Sequence, residues 1–241
     1  MPADKRTGIF LSICEVQRMF NLTVGQRWFK IGTLSTIVAI AFLGFTQQAM
    51  AHHAIGGKTP ANFFEGFISG LAHPIIGLDH FAFVVAIGAI AAVVDRGIYI
   101  PIVFILATLL GTGIHLQAVN LPFPEIIISA SVVLFGILLA LRNIRVNPPK
   151  FYGIVLAALA IVAGIFHGYA YGESIVGAQM TPLVAYLAGF AIIQILVGSI
   201  IWAISKVILE KFSDRAFPVM RSLGLAISTI GVIFLTASMI G

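Results

Sequence analysis

The sequence predicts an all-α fold: a polytopic membrane helix bundle with six transmembrane segments after a cleavable signal peptide, the first helix being broken. Three observations predict it. Of 241 residues, 59% are hydrophobic and 10% charged, against roughly 45–50% and about 25% in soluble domains. Apolar runs long enough to cross a hydrocarbon core of about 30 Å follow one another, parted by short polar or Pro/Gly segments. The cations are distributed unevenly between alternate loops. Too little polar surface is present to cover a water-soluble globule, which argues against a cytosolic enzyme, a nucleic-acid binder or a secreted disulfide scaffold. The membrane suits the composition, and helices satisfy their own backbone groups there.

The leader comes first. Five of the fourteen Lys and Arg residues precede residue 31: Lys5, Arg6, Arg18, Arg27 and Lys30. They flank the apolar run 31–45, which leads to Ala49-Met50-Ala51 and then His52-His53. A positive region, a hydrophobic stretch and an Ala-x-Ala site make a secretory signal, with cleavage expected after Ala51. The alternative is an uncleaved extra helix. The cationic region is long, and Met19 is an alternative start. The chain divides into a leader (1–51), an outer His-containing segment (52–60) and a six-helix transmembrane domain (61–241). The single cysteine, Cys14, lies in the leader, so the rest of the chain has no disulfide or thiolate site.

The six expected spans are about 61–94 with a break at Pro74 to Gly77, then about 98–118, 124–141, 151–171, 182–209 and 217–240. Each is long enough at about 1.5 Å per residue. A cleaved signal places His52 outside, in the periplasm of an inner or plasma membrane. The inner loops then hold Arg96, Arg142, Arg145, Lys150, Lys206, Lys211, Arg215 and Arg221, against Lys58 outside. The positive-inside rule gives the same orientation independently. The inner acids Asp95, Glu210 and Asp214 read as solvated loop residues.

Every mature histidine then falls on the outer side, with Glu65, Asp79, Glu125 and Glu173. Ionisable groups in hydrocarbon are costly and tend to face one another, a cavity or an ion. The sharpest cluster is His73-Pro-Ile-Ile-Gly-Leu-Asp79-His80. On an unbroken helix His73 and His80 would stand about 10 Å apart along the axis. A break at Pro74 and Gly77 can bring them together, beside the anionic oxygen of Asp79. Glu65, Ser69 and His73 recur at a spacing of four and form a polar stripe towards it. The second cluster is Phe166-His167-Gly-Tyr-Ala-Tyr-Gly-Glu173. Gly164, Gly168 and Gly172 admit a neighbouring helix closely, and Glu173 is expected just past the helix end. Gly111-Thr-Gly113-Ile-His115 and Pro122-Phe-Pro124-Glu125 are the third and fourth. Ordinary roles compete: His115 as a packing residue, Glu125 complementing a helix N-terminus, Glu65 facing headgroups. His52 and His53 chelate an ion only if cleavage frees the amine of His52.

Imidazole with carboxylate suits Ni²⁺ or Co²⁺, and the same donors admit Zn²⁺ or Cu²⁺. The lack of cysteine argues against Cu⁺, and the histidines argue against Mg²⁺ and Ca²⁺. Binding needs neutral imidazole, so affinity should fall below about pH 6. The candidate metal residues are therefore His73, Asp79, His80, His167, Glu173, His52, His53, His115, Glu125 and Glu65.

At these residues the chain resembles the HupE/UreJ family of secondary nickel/cobalt permeases. The His-x₅-Asp-His run at His73, Asp79 and His80 and the Phe-His-Gly-x-Ala-x-Gly-x-Glu run at Phe166 to Glu173 carry the resemblance. Pro122-Phe-Pro124-Glu125 corresponds loosely to a third feature, Pro-x-x-Glu. The resemblance implies nickel or cobalt uptake, with no enzymatic activity and no prosthetic group. The chain shows no P-loop for nucleotide. The expected partners are a divalent ion and the lipid bilayer, not nucleic acid, and the sequence leaves a homo-oligomer open. The rival reading is an intramembrane haem-binding redox protein, with His115 and His167 among glycines as axial ligands. A metalloprotease lacks its His-Glu-x-x-His.

Overall fold

Asn62 opens the first helix: its side chain accepts from the Glu65 amide at 2.9 Å, while the Glu65 carboxylate accepts from Asn62 Nδ2 and the Ala61 amide. This reciprocal cap fixes where the helix begins. The computed structural model describes residues 58–142 and 149–240. The signal peptide, the cleavage site at Ala51, His52, His53 and Arg145 lie outside the described residues. The helices are α1 (Phe63–Ile76), α2 (Leu78–Ala92), α3 (Tyr99–Leu116), α4 (Pro124–Leu141), α5 (Lys150–Glu173), α6 (Met180–Lys211) and α7 (Ser213–Ile240), with no strand among the described residues.

The expected break is present. α1 and α2 meet at 78° and together are apolar enough to count as one span, beside five helices that qualify alone. The turn falls on Gly77, whose backbone is extended at ψ 99, while Pro74 stays within α1. Pro74 lacks an N–H, so the Gly70 carbonyl receives no helical bond from it. A Cβ on Gly77 would stand 2.7 Å from His80 Cδ2, so this glycine lets the imidazole fold back over the break.

α2 is the enclosed helix. Phe83, Val84, Ala86, Ala89 and Ala92 lie all round it, and all are buried, as expected of a helix that is hydrophobic on every side. The outer helices show large apolar residues outward, among them Leu106, Ile137, Ile154, Ile195 and Ile200, the face a bilayer requires. Close pairs fix the directions. Gly66 and Gly70 of α1 meet Pro182 and Tyr186 of α6, so that pair is parallel. Gly164 and Gly168 of α5 meet Phe104 and Thr108 of α3, also parallel. Gly136 of α4 meets Gly224 of α7, and Gly231 of α7 meets Val133, which is antiparallel. These are the relative directions of alternating spans.

Expectations about the helix ends are corrected. Glu173 is the last residue of α5, not a residue beyond it. Lys150 opens α5, Lys206, Glu210 and Lys211 lie within α6, and Asp214, Arg215 and Arg221 lie within α7, which begins at Ser213, so these charges are on helices and not in loops. The connection between α6 and α7 is short because both extend past their apolar cores.

Candidate metal site at the helix break

The break gathers imidazoles from three helices. His73 lies near the end of α1, His80 in the first turn of α2, and His167 six residues before the end of α5. His73 is 4% exposed, His80 7% and His167 0%. His80 Nδ1 stands 2.8 Å from His167 Nδ1. The His73 and His80 ring centroids are 5.8 Å apart, and those of His80 and His167 4.9 Å. Asp79 Oδ1 accepts from the His80 amide at 2.9 Å, which seats the carboxylate at the start of α2.

The arrangement is a line of rings and not a closed cage. Among the described residues, no three His, Asp or Glu side chains stand at metal-ligand geometry. What converges is His73, His80 and His167, with Asp79 adjoining His80 in the chain.

Hydroxyl groups complete the line. His73 Nδ1 is 3.0 Å from Ser174 Oγ and 3.0 Å from Tyr186 Oη. Tyr186 donates to the Tyr171 carbonyl at 2.7 Å. His167 Nε2 is 3.1 Å from Ser131 Oγ, and Ser131 donates to the Ile128 carbonyl at 2.6 Å. Phe83 and Phe104 enclose His167, with ring centroids at 4.5 and 5.8 Å. Tyr171 packs edge-on against His73 at 5.0 Å and His80 at 4.7 Å. Its buried hydroxyl has no hydrogen-bond partner among the described residues.

Tyr171, Ser174, Tyr186 and Ser131 are not in the set expected from sequence. Tyr171 and Ser174 lie within or next to the second motif, and that proximity was a usable signal. Tyr186 lies in an apolar run and reads as core. Ser131 is two residues past Ser129, which instead donates to the Glu125 carbonyl at 2.7 Å.

Glu65, Glu125 and His115 have settings of their own. Glu65 commits both carboxylate oxygens to the α1 cap, so its geometry is that of a capping residue. Glu125 is exposed in the first turn of α4, where it complements the helix N-terminus. His115 packs edge-on against Tyr169 at 4.4 Å and away from the line; its Nδ1 is buried without a partner among the described residues. Glu173 is exposed at the end of α5.

Comparisons with known proteins bear on the family. The profile described as HupE / UreJ protein matches residues 40–234. The curated protein "Protein HupE" of Rhizobium leguminosarum bv. viciae is 27% identical over 167 residues, covering 68% of this chain and 77% of the relative. No solved structure matches. With both motifs converging on one break and the family profile spanning most of its length, the chain belongs to the HupE/UreJ family, a family of membrane transporters associated with nickel and cobalt uptake and not of enzymes.

Proposed function

We propose that the protein is a secondary permease that takes up Ni²⁺ or Co²⁺, with the ion held where His73, Asp79, His80 and His167 meet. The observation that carries this is the convergence of buried imidazoles from both sides of a broken helix and from α5. Broken helices are a recurring way to build ion sites within membranes. The site lies towards the end of the bundle that holds the α1 and α6 N-termini and the α5 C-terminus. In the orientation expected from the signal peptide and the loop cations, this is the outer end. His52 and His53, freed by cleavage after Ala51, act with Glu173 as the first capture point. His115, Glu125 and Glu65 are peripheral.

The haem reading loses its footing on the glycines. Gly164 and Gly168 are packed against Phe104, Ala107 and Thr108 of α3, and Gly172 against the His115 side chain, so the glycines beside His167 serve helix packing and leave no slot for a ring there. The test is flux of Ni²⁺ and Co²⁺, measured by elemental analysis, into liposomes holding purified protein. Flux lost in His80→Ala supports the permease. Wild-type protein that binds but does not move either ion reduces it to a binding protein.

A further inference from the structure

We propose that His167 holds His80 and does not touch the ion, that Ser131 fixes this arrangement, and that His73 and His80 both turn Nε2 towards the metal. The metal in this statement rests on the permease reading; the hydrogen-bond assignment does not.

The available protons fix the donors and acceptors. A serine hydroxyl has one proton, and that of Ser131 goes to the Ile128 carbonyl at 2.6 Å. Ser131 can therefore only accept at its 3.1 Å contact with His167, which makes His167 Nε2 the donor. A neutral imidazole carries one N–H, so His167 Nδ1 is an acceptor. Its partner at 2.8 Å, His80 Nδ1, must then donate. The lone pair of His80 is thereby placed on Nε2.

A second, separate chain reaches the same result for His73. The Tyr186 hydroxyl gives its one proton to the Tyr171 carbonyl at 2.7 Å. Its oxygen therefore accepts from His73 Nδ1 at 3.0 Å, with Ser174 Oγ at 3.0 Å sharing the same N–H. His73 too is left with its lone pair on Nε2. Metal-binding histidines almost always donate their other ring N–H to a fixed acceptor, and both rings meet that condition. His167 also donates, to Ser131, but its other nitrogen accepts the His80 N–H, so no lone pair is left on it for an ion. It is 0% exposed, and Phe83 and Phe104 close on it. Ser131 and His167 are positioning residues, acting on the ion through His80.

Full-length protein with ¹⁵N-labelled histidine, free of metal, tests the assignment directly. Wild type should show His73 and His80 protonated at Nδ1 and His167 at Nε2. His167 protonated at Nδ1 would overturn the proposal. Co²⁺ alone is the binding probe. Ser131→Ala should weaken binding by about 10–100-fold, the range for loss of a ligand's supporting partner, and Ser131→Thr should restore it. His167→Asn keeps an oxygen near the Nδ1 position, so it should bind at least tenfold more tightly than His167→Leu. Equal loss in those two variants would make His167 a ligand and sink the inference. The two readings fail separately. Correct tautomers without flux of Ni²⁺ or Co²⁺ reject the permease alone, and flux with reversed tautomers rejects this proposal alone.

Discussion

Replacing Gly77 with alanine should disable the site while leaving the bundle folded. The backbone there, φ −69 and ψ 99, suits any L-residue, so no strain is introduced. Losing a glycine outside a helix interior is neutral or stabilising by about 0.4–1 kcal/mol through the unfolded chain. The added methyl, however, would stand 2.7 Å from His80 Cδ2. Carbon atoms rest at about 3.5 Å or more, so the imidazole must shift by about 0.8 Å. A shift of that size along the His80–His167 contact stretches its 2.8 Å to about 3.6 Å, beyond hydrogen-bond range. That removes about 1 kcal/mol of bonding. For a ligand that must be oriented, a loss of about 10–100-fold in metal affinity follows. The assay pairs membrane abundance and thermal unfolding in detergent with Ni²⁺ and Co²⁺ uptake. Normal abundance with uptake reduced at least tenfold is expected. Wild-type uptake in a stably inserted Gly77→Ala protein would refute the claim that His80 must lie folded over the break.

Gly168→Ala should lower the protein's abundance and its unfolding temperature, because its Cβ would overlap the Thr108 backbone and overpacking costs about 1–3 kcal/mol. Gly113→Ala, with nothing within 4 Å of its Cβ, should be neutral or stabilising in the same assay. Glu65→Ala should destabilise by about 1 kcal/mol through loss of the cap, while Glu65→Gln keeps both stability and uptake. Loss of uptake in a stable Glu65→Gln protein would return Glu65 to the ion path. Tyr171→Phe removes a buried hydroxyl with no partner among the described residues, so thermal stability should hold or rise by about 1 kcal/mol. A marked drop would reveal an undetected bond.

The span pattern was legible because hydrocarbon imposes a single rule on every segment. The break was legible because Pro74 and Gly77 lie between His73 and Asp79. Its position within that stretch was not, since Pro74 is tolerated in the last turn of α1 and the chain bends at Gly77. His73, His80 and His167 were legible as a set through two motifs on different helices. Their supports were not. Ser129 and Ser131 are both serines on α4, and only the packing of α5 decides that Ser131 faces His167. Glu65 is the opposite case. Asn62 three residues before it was a local capping signal, and that signal, not its charge, describes what Glu65 does.

The hydroxyl groups around the line matter because of what they withhold. Ser131, Ser174 and Tyr186 orient the imidazoles without bringing any further charge to the break. In the proposed site, a divalent ion held by His73, His80 and Asp79 would meet two neutral rings and one carboxylate, which would leave one positive charge uncompensated. Buried uncompensated charge is costly in a bilayer, and the N-terminus of α2 adds a positive dipole end at the same point. The α1 C-terminus opposes it with the negative end of its own dipole, brought there by the 78° bend. Such a site selects for imidazole-loving ions through its nitrogens, yet holds them weakly through its charge. A second carboxylate at the break would bind more tightly and slow the release to water on the far side, and a permease depends on that release.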